Sequence, residues 1–182
     1  MSEVGARHAV PETMGREVGA GARGYGEAAV AVAADPANWE LWDAPAGQRE
    51  VLYQRFPEFT CLCPRSGYPD FATVHLVTVP NRQVLELKHL KLWLNSFRER
   101  RISHEQATAD ILETLARELD LHYAFILMEY TPRGNLLTIP MIEYRHPRLE
   151  NLRQNDPLHL ALANAARVRD HLIARAIGPD PP

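Results

Sequence analysis

The succession of hydrophobic periodicities is the feature that most restricts the fold of this chain. Residues 72–79 (ATVHLVTV) are rich in β-branched side chains and roughly alternate, which predicts a strand that ends before Pro80. A second short strand is predicted over 83–87, so that the two segments would form a hairpin. Residues 123–130 and 136–144 are also apolar and partly β-branched, and a turn-forming TPRGN sequence separates them. Four strands in two hairpins are therefore expected.

Three other segments have helical periodicity. Between the two hairpins, three- and four-residue spacing of apolar side chains predicts a short helix with a stripe made of Leu87, Leu90, Leu94 and Phe97. Ser103 and Gln106 form a capping box that starts a second helix, which is expected to end near Asp120. Pro157 suits a first helical position, so a C-terminal helix is predicted over about 157–176. The order strand-strand-helix-helix-strand-strand fits an α+β fold with a four-stranded antiparallel sheet and two helices on one face.

Length and charge limit the number of domains and the classes of binding partner. At 182 residues the chain has the size of one ordinary domain, and we expect a partly ordered N-terminal arm over 1–47 before a single domain over 48–182. A net charge of −3 argues against direct binding to nucleic acid or to an anionic membrane. No apolar run is long enough to span a bilayer, so a cytoplasmic location is expected. The two edge strands of the predicted sheet make a homo-oligomer a reasonable expectation.

A G-x-G-x-x-G sequence at Gly19, Gly21 and Gly24 is the first candidate for a cofactor loop. The motif binds dinucleotides where it follows a strand and opens a helix. The preceding PETMGREV is not an apolar strand, so these glycines are not expected to bind a cofactor.

Residues 56–73, FPEFTCLCPRSGYPDFAT, contain both cysteines of the chain and an aspartate seven residues after the second. Cys63 could act as a nucleophile if a nearby cation such as Arg65 lowers the pKa of its thiol, or it could be a small buried apolar residue. Asp70 could be a proton donor or a turn residue after proline. A metal site with Cys61 and Cys63 is not expected, because the C-x-C spacing and the missing second ligand pair do not suit structural zinc.

Four further polar residues could bind a ligand. His104 and Glu105 lie in the first turn of the second helix, where Glu105 could either stabilise the helix dipole or accept two hydrogen bonds from the amidine-like edge of a purine or pterin. Lys88 and Lys91 lie three residues apart on the preceding helix, where they could form a solvated face or bind phosphate together with Arg133.

Four separated motifs occur together in this chain: FTCLCPRSGYPDFAT, ELKHLKLWLNSFR, SHEQ and YTPRGN. In order and spacing they resemble the NADPH-dependent 7-cyano-7-deazaguanine reductases of queuosine biosynthesis, in their short single-module form. The resemblance covers roughly residues 56–144. It implies a tunnelling fold and a homo-oligomer, of which a decamer of stacked rings is one form, with active sites between subunits. It also implies a small deazapurine substrate, whose nitrile is reduced to an aminomethyl group with two NADPH.

The resemblance further implies a role for each candidate residue. Cys63 would add to the nitrile carbon to give a thioimide, Asp70 would protonate the nitrogen, and His104 would lie beside the reacting carbon. The residues expected to bind the substrate are Leu85, Glu86, Leu87, His104 and Glu105. Those expected to bind NADPH are Lys88, Lys91 and Arg133. His89 and Asn135 depart from the residues usual in the family at their positions.

Two other functions remain open from the sequence. One is a sister activity in which an amine donor attacks the thioimide, as in amidinotransferases that act on deazaguanine in transfer RNA. The complete lysine signature argues against it. The other is a non-catalytic protein that binds purines or pterins. The joint presence of Cys63, Asp70, His104 and Glu105 argues against that, because a binding protein needs only the glutamate.

Overall fold

A computed structural model describes residues 26–45 and 50–178. The G-x-G-x-x-G sequence and the predicted boundary between residues 47 and 48 lie outside the described residues. The helices and strands follow the chain as α1 (Glu27–Ala33), β1 (Leu41–Asp43), β2 (Leu52–Leu62), β3 (Pro69–Val79), β4 (Gln83–Leu85), α2 (Leu87–Asn95), α3 (His104–Glu118), β5 (Tyr123–Tyr130), β6 (Met141–Arg145) and α4 (Leu158–Ile177). The α+β class is as predicted.

The main sheet has four antiparallel strands in the order β2-β3-β5-β6. Long-range pairing of β3 with β5 joins its two halves, with Val74 opposite Met128 and Leu76 opposite Ile126. The pairing of β6 begins irregularly, since the Tyr130 N–H donates to the carbonyl of Thr138 before the regular strand starts at Met141.

The predicted hairpin between residues 72–79 and 83–87 is wrong. β3 pairs with β2, whereas β4 pairs with β1 in a separate two-stranded sheet. Sequence reasoning missed β2 because Pro57 interrupts its alternation and lacks the N–H that a strand ladder needs. The register shifts between Phe56 and Phe59, so a bulge carries the proline within an otherwise continuous strand.

Alternate side chains of the sheet enter two different cores. Val74 and Leu76 lie on the face covered by α2 and α3, in a cluster that also contains Leu94, Ile111 and Leu115. The other face is covered by α4, and its cluster contains Val77, Val79, Phe125, Leu158 and Ala165. The central strands β3 and β5 are therefore buried on both faces, which makes them the rigid support for residues at their ends.

The described part of the predicted N-terminal arm contains α1, which packs against α2, and β1, which pairs with β4. Trp39 is 1% exposed, donates from its indole N–H to the carbonyl of Ala33, and meets Trp93 edge to face at 5.0 Å between ring centroids. The Glu86 N–H donates to the carbonyl of Glu40 at 3.0 Å. These contacts attach the N-terminal segment to the start of α2.

Within residues 26–45 and 50–178, no helix has the length and apolar character needed to cross a membrane.

Candidate functional site

Cys63 lies in the tight turn that joins β2 to β3. The Cys63 N–H donates to the carbonyl of Tyr68, and the Gly67 N–H donates to the carbonyl of Cys63, both at 2.8 Å. Gly67 has a φ of 71°, and a β-carbon at this position would lie 2.8 Å from a guanidinium nitrogen of Arg101. The turn therefore favours glycine for its backbone conformation, whereas the exposed Arg101 side chain could move away from a β-carbon.

The turn also creates an environment that favours a thiolate at Cys63. The Ser66 hydroxyl, followed by the backbone N–H groups of Ser66 and Arg65, hydrogen-bonds to the sulfur and lowers the pKa of Cys63 from 9.0 to about 7. Arg133 contributes a further, smaller hydrogen bond. Hydrogen bonds to the charged form stabilise the thiolate, so a large fraction of Cys63 is nucleophilic near neutral pH.

Cys61, two residues earlier, has the opposite environment. It is fully buried in β2, and this burial raises the pKa of its thiol to about 11. The sulfur lies 3.9 Å from the carbonyl oxygen of Ile102. The two thiols are both free, but Cys63 alone has the pKa of a nucleophile.

Asp70 is a buried carboxylate at the start of β3, with 4% exposure. Its Oδ1 lies 2.7 Å from Nε of Arg133 and 3.2 Å from Nε2 of His104. Arg133 is held from a second direction, because its NH2 group donates to the carbonyl of Pro69 at 2.8 Å. A single guanidinium thus contacts the carboxylate of Asp70 and hydrogen-bonds to the sulfur of Cys63. The three predicted residues Cys63, Asp70 and His104 lie together around it.

The start of α3 supplies the remaining side of this cluster. Ser103 caps the helix by accepting a hydrogen bond from the Gln106 N–H. The His104 ring stacks on Tyr130 of β5, with centroids 3.7 Å apart and an interplanar angle of 11°. Glu105 is exposed, and hydrogen bonds from its own N–H and from Ser103 lower the pKa of its carboxyl group. An ionised carboxylate therefore faces solvent beside the buried Asp70 cluster.

The segment from Leu85 to Lys91 lies near the opposite end of β3. Leu85 is buried and lines a small cavity with Thr78, eight residues along the strand from Asp70. At about 3.3 Å per residue, eight residues of strand correspond to about 26 Å. Lys91 lines a larger cavity of about 290 Å³, between the sheet and the two helices, whose lining includes Val74, Leu76 and Leu90. Leu87 and Lys91 share this cavity with Val74, four residues along β3 from Asp70, so the segment runs from the far end of β3 towards its middle.

The individual residues of the segment differ in exposure. Leu87 is 66% exposed, whereas Glu86 accepts a hydrogen bond from the His89 N–H and caps α2. Lys88 and Lys91 lie in the first two turns of that helix. Two ammonium groups beside a helix N-terminus suit the phosphates of a dinucleotide such as NADPH. The positive charges of Lys88 and Lys91 thus suit the negatively charged phosphates of NADPH.

The structure gives two residues roles that the sequence did not predict. Ser66 provides the strongest hydrogen bond that lowers the pKa of Cys63, and its position three residues after the cysteine in a Gly-containing turn was the available signal. Arg133, expected to bind phosphate, also pairs with Asp70. No local pattern joins residues 70 and 133, which lie together because β3 pairs with β5.

Comparisons with known proteins identify relatives of this chain. The family model described as QueF-like protein matches residues 69–149. The NADPH-dependent 7-cyano-7-deazaguanine reductase of Aquifex aeolicus is 46% identical over 116 residues, which cover 63% of this chain and 87% of that protein. The enzyme of the same name from Sulfurimonas denitrificans is 44% identical over 119 residues, 65% of this chain and 95% of that protein.

A solved structure supports the fold. The archaeosine synthase QueF-Like in its apo form matches with a TM-score of 0.51 and 20% identity, covering 54% of this chain and 97% of that one. At this identity the likeness concerns the fold alone. The two reductases, by contrast, are matched over most of their length at well above 30% identity. This chain belongs to the family of NADPH-dependent 7-cyano-7-deazaguanine reductases.

Proposed function

We propose that this protein reduces the nitrile of 7-cyano-7-deazaguanine to the aminomethyl group of 7-aminomethyl-7-deazaguanine, in the cytoplasm and as part of queuosine biosynthesis. The names of its relatives support the reaction. The observation that carries it is the Cys63 thiol, whose pKa of about 7 results from hydrogen bonds in the turn. Arg133 joins this thiol to the buried Asp70. A nucleophile and an adjacent proton donor are what addition to a nitrile requires.

In the proposed first step, the Cys63 sulfur forms a bond to the nitrile carbon. One π bond of the nitrile breaks and its electron pair goes to nitrogen, while Asp70 takes the proton that the Cys63 thiol gives up and passes it to that nitrogen. The product is a thioimide on Cys63. Asp70 returns to the carboxylate, which Arg133 at 2.7 Å and His104 at 3.2 Å stabilise. Stacking on Tyr130 fixes the orientation of the His104 ring, which would lie beside the reacting nitrile carbon.

NADPH, when bound, supplies the two hydrides that the conversion of a nitrile to an amine requires. On this chain Lys88 and Lys91 would hold its phosphates. Arg133, which the resemblance also assigns to the cofactor, would in addition position Asp70 and stabilise the Cys63 thiolate. Glu105 would accept hydrogen bonds from the deazaguanine edge, with Leu85, Glu86 and Leu87 bordering the substrate from another subunit.

The proposal places two subunits at each site, because the family resemblance implies sites between subunits and because Leu85 lies beside Thr78, about 26 Å of strand from Asp70. Two variants with defects in different halves test this requirement. Cys63→Ala and Glu86→Gln should each be inactive alone, and co-assembled mixtures should regain NADPH oxidation, because some interfaces combine two intact halves. Activity that is absent from verified mixed oligomers would contradict the composite site.

Intact-mass measurement tests the chemistry most directly. Protein mixed with 7-cyano-7-deazaguanine, without NADPH, should gain the mass of one substrate, and the matched Cys63→Ala variant should not. Asp70→Asn should form the adduct about 10²–10⁴-fold more slowly, the usual range for a general acid. An unmodified wild-type mass, or an adduct on Cys63→Ala, would refute the mechanism.

Adding NADPH distinguishes reduction from the sister activity. We expect the adduct to disappear and two NADPH to be oxidised per amine formed. An adduct that persists with NADPH but is released by an amine donor would assign the amidinotransferase reaction instead.

A further inference from the structure

Three arginines lie around the turn that carries Cys63. Arg133 contacts Asp70 at 2.7 Å, and the proposed reaction uses it there. Arg65 lies two residues after Cys63, and its backbone N–H helps to lower the pKa of that thiol. Arg101 reaches the same turn from the segment that precedes α3. The proposed reaction leaves the guanidinium groups of Arg65 and Arg101 without a role.

The backbone around Arg101 is hydrogen-bonded to the last residue of β2. The Leu62 N–H donates to the carbonyl of Arg100 at 2.9 Å, and the Ile102 N–H donates to the carbonyl of Leu62 at 3.0 Å. Leu62 and Arg101 therefore form a parallel bridge directly before Cys63. The base of the Arg101 side chain is thus fixed beside the turn that carries the nucleophile.

The Arg101 guanidinium lies against Gly67 within that turn. A β-carbon at Gly67 would be 2.8 Å from one terminal nitrogen of Arg101, 2.9 Å from the other and 3.1 Å from the carbon between them. The Gly67 N–H in turn donates to the carbonyl of Cys63 at 2.8 Å. The guanidinium therefore belongs to the immediate surroundings of Cys63, although the Arg101 side chain as a whole is exposed.

The surroundings of Cys63 carry more positive than negative charge. The buried carboxylate of Asp70 is already paired with Arg133 at 2.7 Å. Within residues 26–45 and 50–178, neither Arg65 nor Arg101 forms an ion pair, and both side chains are exposed. Two guanidinium groups without an acidic partner raise the local positive potential. Such a surface attracts an anion, and it lies beside the sulfur at which the proposed reaction takes place.

We propose that Arg101 binds the pyrophosphate of NADPH, an inference that rests on the proposed function. The deazapurine nitrile carries no phosphate or carboxylate, whereas the cofactor is a phosphorylated dinucleotide. The carbon that accepts hydride is bound to Cys63, so the nicotinamide must lie at this turn. The pyrophosphate is joined to the nicotinamide ribose, whereas the 2′-phosphate is on the adenosine ribose at the other end of the cofactor. A planar guanidinium makes paired hydrogen bonds to phosphate oxygens, and its placement against Gly67 reduces the entropy lost on binding.

Isothermal titration of the full chain with NADPH, in the absence of the nitrile, tests the contact without turnover. Arg101→Gln should weaken the dissociation constant by about 10-fold, the lower end of the range for a hydrogen bond to a charged group, because solvent screens an exposed arginine. Arg167→Gln, at an exposed position of α4, is the matched control and should bind NADPH as wild type does. NADH also contains the pyrophosphate and should lose a similar factor in Arg101→Gln. A loss confined to NADPH would place Arg101 at the 2′-phosphate and overturn the assignment.

Two further measurements separate this contact from the proposed reaction and from a structural role. Without NADPH, the thioimide should form on Arg101→Gln at close to the wild-type rate, whereas a wild-type protein that forms no adduct would count against the proposed reaction itself. Circular dichroism and light scattering should show the fold and assembly of wild type. If Arg101→Gln assembles differently, Arg101→Lys replaces it and should still bind NADPH more weakly, because lysine lacks the paired donors. Unchanged NADPH affinity in a correctly assembled variant, or no saturable NADPH binding by wild type, would overturn the proposal.

Discussion

Removing the hydroxyl of Ser66 should shift the reactivity profile of Cys63 in a defined way. This hydroxyl is the largest of the contributions that lower the thiol pKa from 9.0 to about 7. Groups that accept two or three hydrogen bonds in their charged form have pKa values lowered by about two units, which is about one unit per bond. In Ser66→Ala we therefore expect the pKa of Cys63 to rise to about 8.

The change affects the rate in two opposite ways. At pH 7 the thiolate fraction falls from about one half to about one tenth, a roughly fivefold loss. A more basic thiolate is also a better nucleophile, by about threefold per pKa unit at a Brønsted coefficient of about 0.4–0.5. The variant should thus react about twofold more slowly than wild type at pH 7 and about threefold faster above pH 9. The two profiles should cross between these pH values.

The assay is the rate of iodoacetamide alkylation from pH 5.5 to 9.5, followed by peptide mass. Cys61, the other cysteine of the chain, is buried with a pKa of about 11 and should contribute little over this range. Ser66→Thr keeps the hydroxyl and is the matched control, which should reproduce the wild-type profile. Superimposable profiles for wild type and Ser66→Ala, or a wild-type midpoint near 9, would refute the argument.

Three further perturbations test other parts of the structure. Arg133→Gln should lower the free energy of unfolding, measured in urea, by about 1–3 kcal/mol, because buried Asp70 loses its guanidinium partner. The partial exposure of Arg133 keeps this loss below that of a fully buried ion pair. An unchanged urea midpoint would contradict this prediction. Gly67→Ala should cost about 1–2 kcal/mol by the same measurement, since a β-carbon is strained at positive φ while the exposed Arg101 side chain can move away. An alanine variant as stable as wild type would show that the turn relaxes freely. Burial lowers the pKa of fully buried His75 below 6.5, so the unfolded chain takes up a proton at a higher pH than the folded protein does. The free energy of unfolding should therefore decrease below about pH 6.5. His75→Gln should flatten that dependence between pH 7.5 and 5.5, and an equally steep slope in the variant would exclude His75 as its source.

The parts of the fold that the sequence predicted well are those whose signals are local. The α3 helix begins at the capping residue Ser103, and β5 occupies the predicted 123–130, because capping and an unbroken apolar run are short-range properties. The pairing of strands is not local. Residues 83–85 were assigned to the wrong partner, since their true partner β1 lies in a segment with no clear periodicity. A strand of three residues is too short for its hydrophobic pattern to predict which strand it pairs with.

The same distinction applies to the candidate site. Residue types and spacing identified Cys63, Asp70 and His104 as candidates, and the structure places Asp70 in contact with His104. The contact of Arg133 with Asp70 depends on β3 pairing with β5, so the sequence around either residue holds no sign of it. Long-range electrostatic partners therefore had to come from the three-dimensional structure.

The difference between the two cysteines follows from where β2 ends. In a continued strand, Cys61 and Cys63 would lie on the same face, because side chains alternate with a period of two, and both thiols would be buried. The strand stops at Leu62, and the turn closed by the Gly67 N–H gives Cys63 a different direction and partial exposure. The turn also supplies the N–H and hydroxyl groups that lower its pKa. The end of the strand at Leu62 thus separates a buried thiol with a raised pKa from a partly exposed thiol with a pKa of about 7, although the two cysteines are only two residues apart.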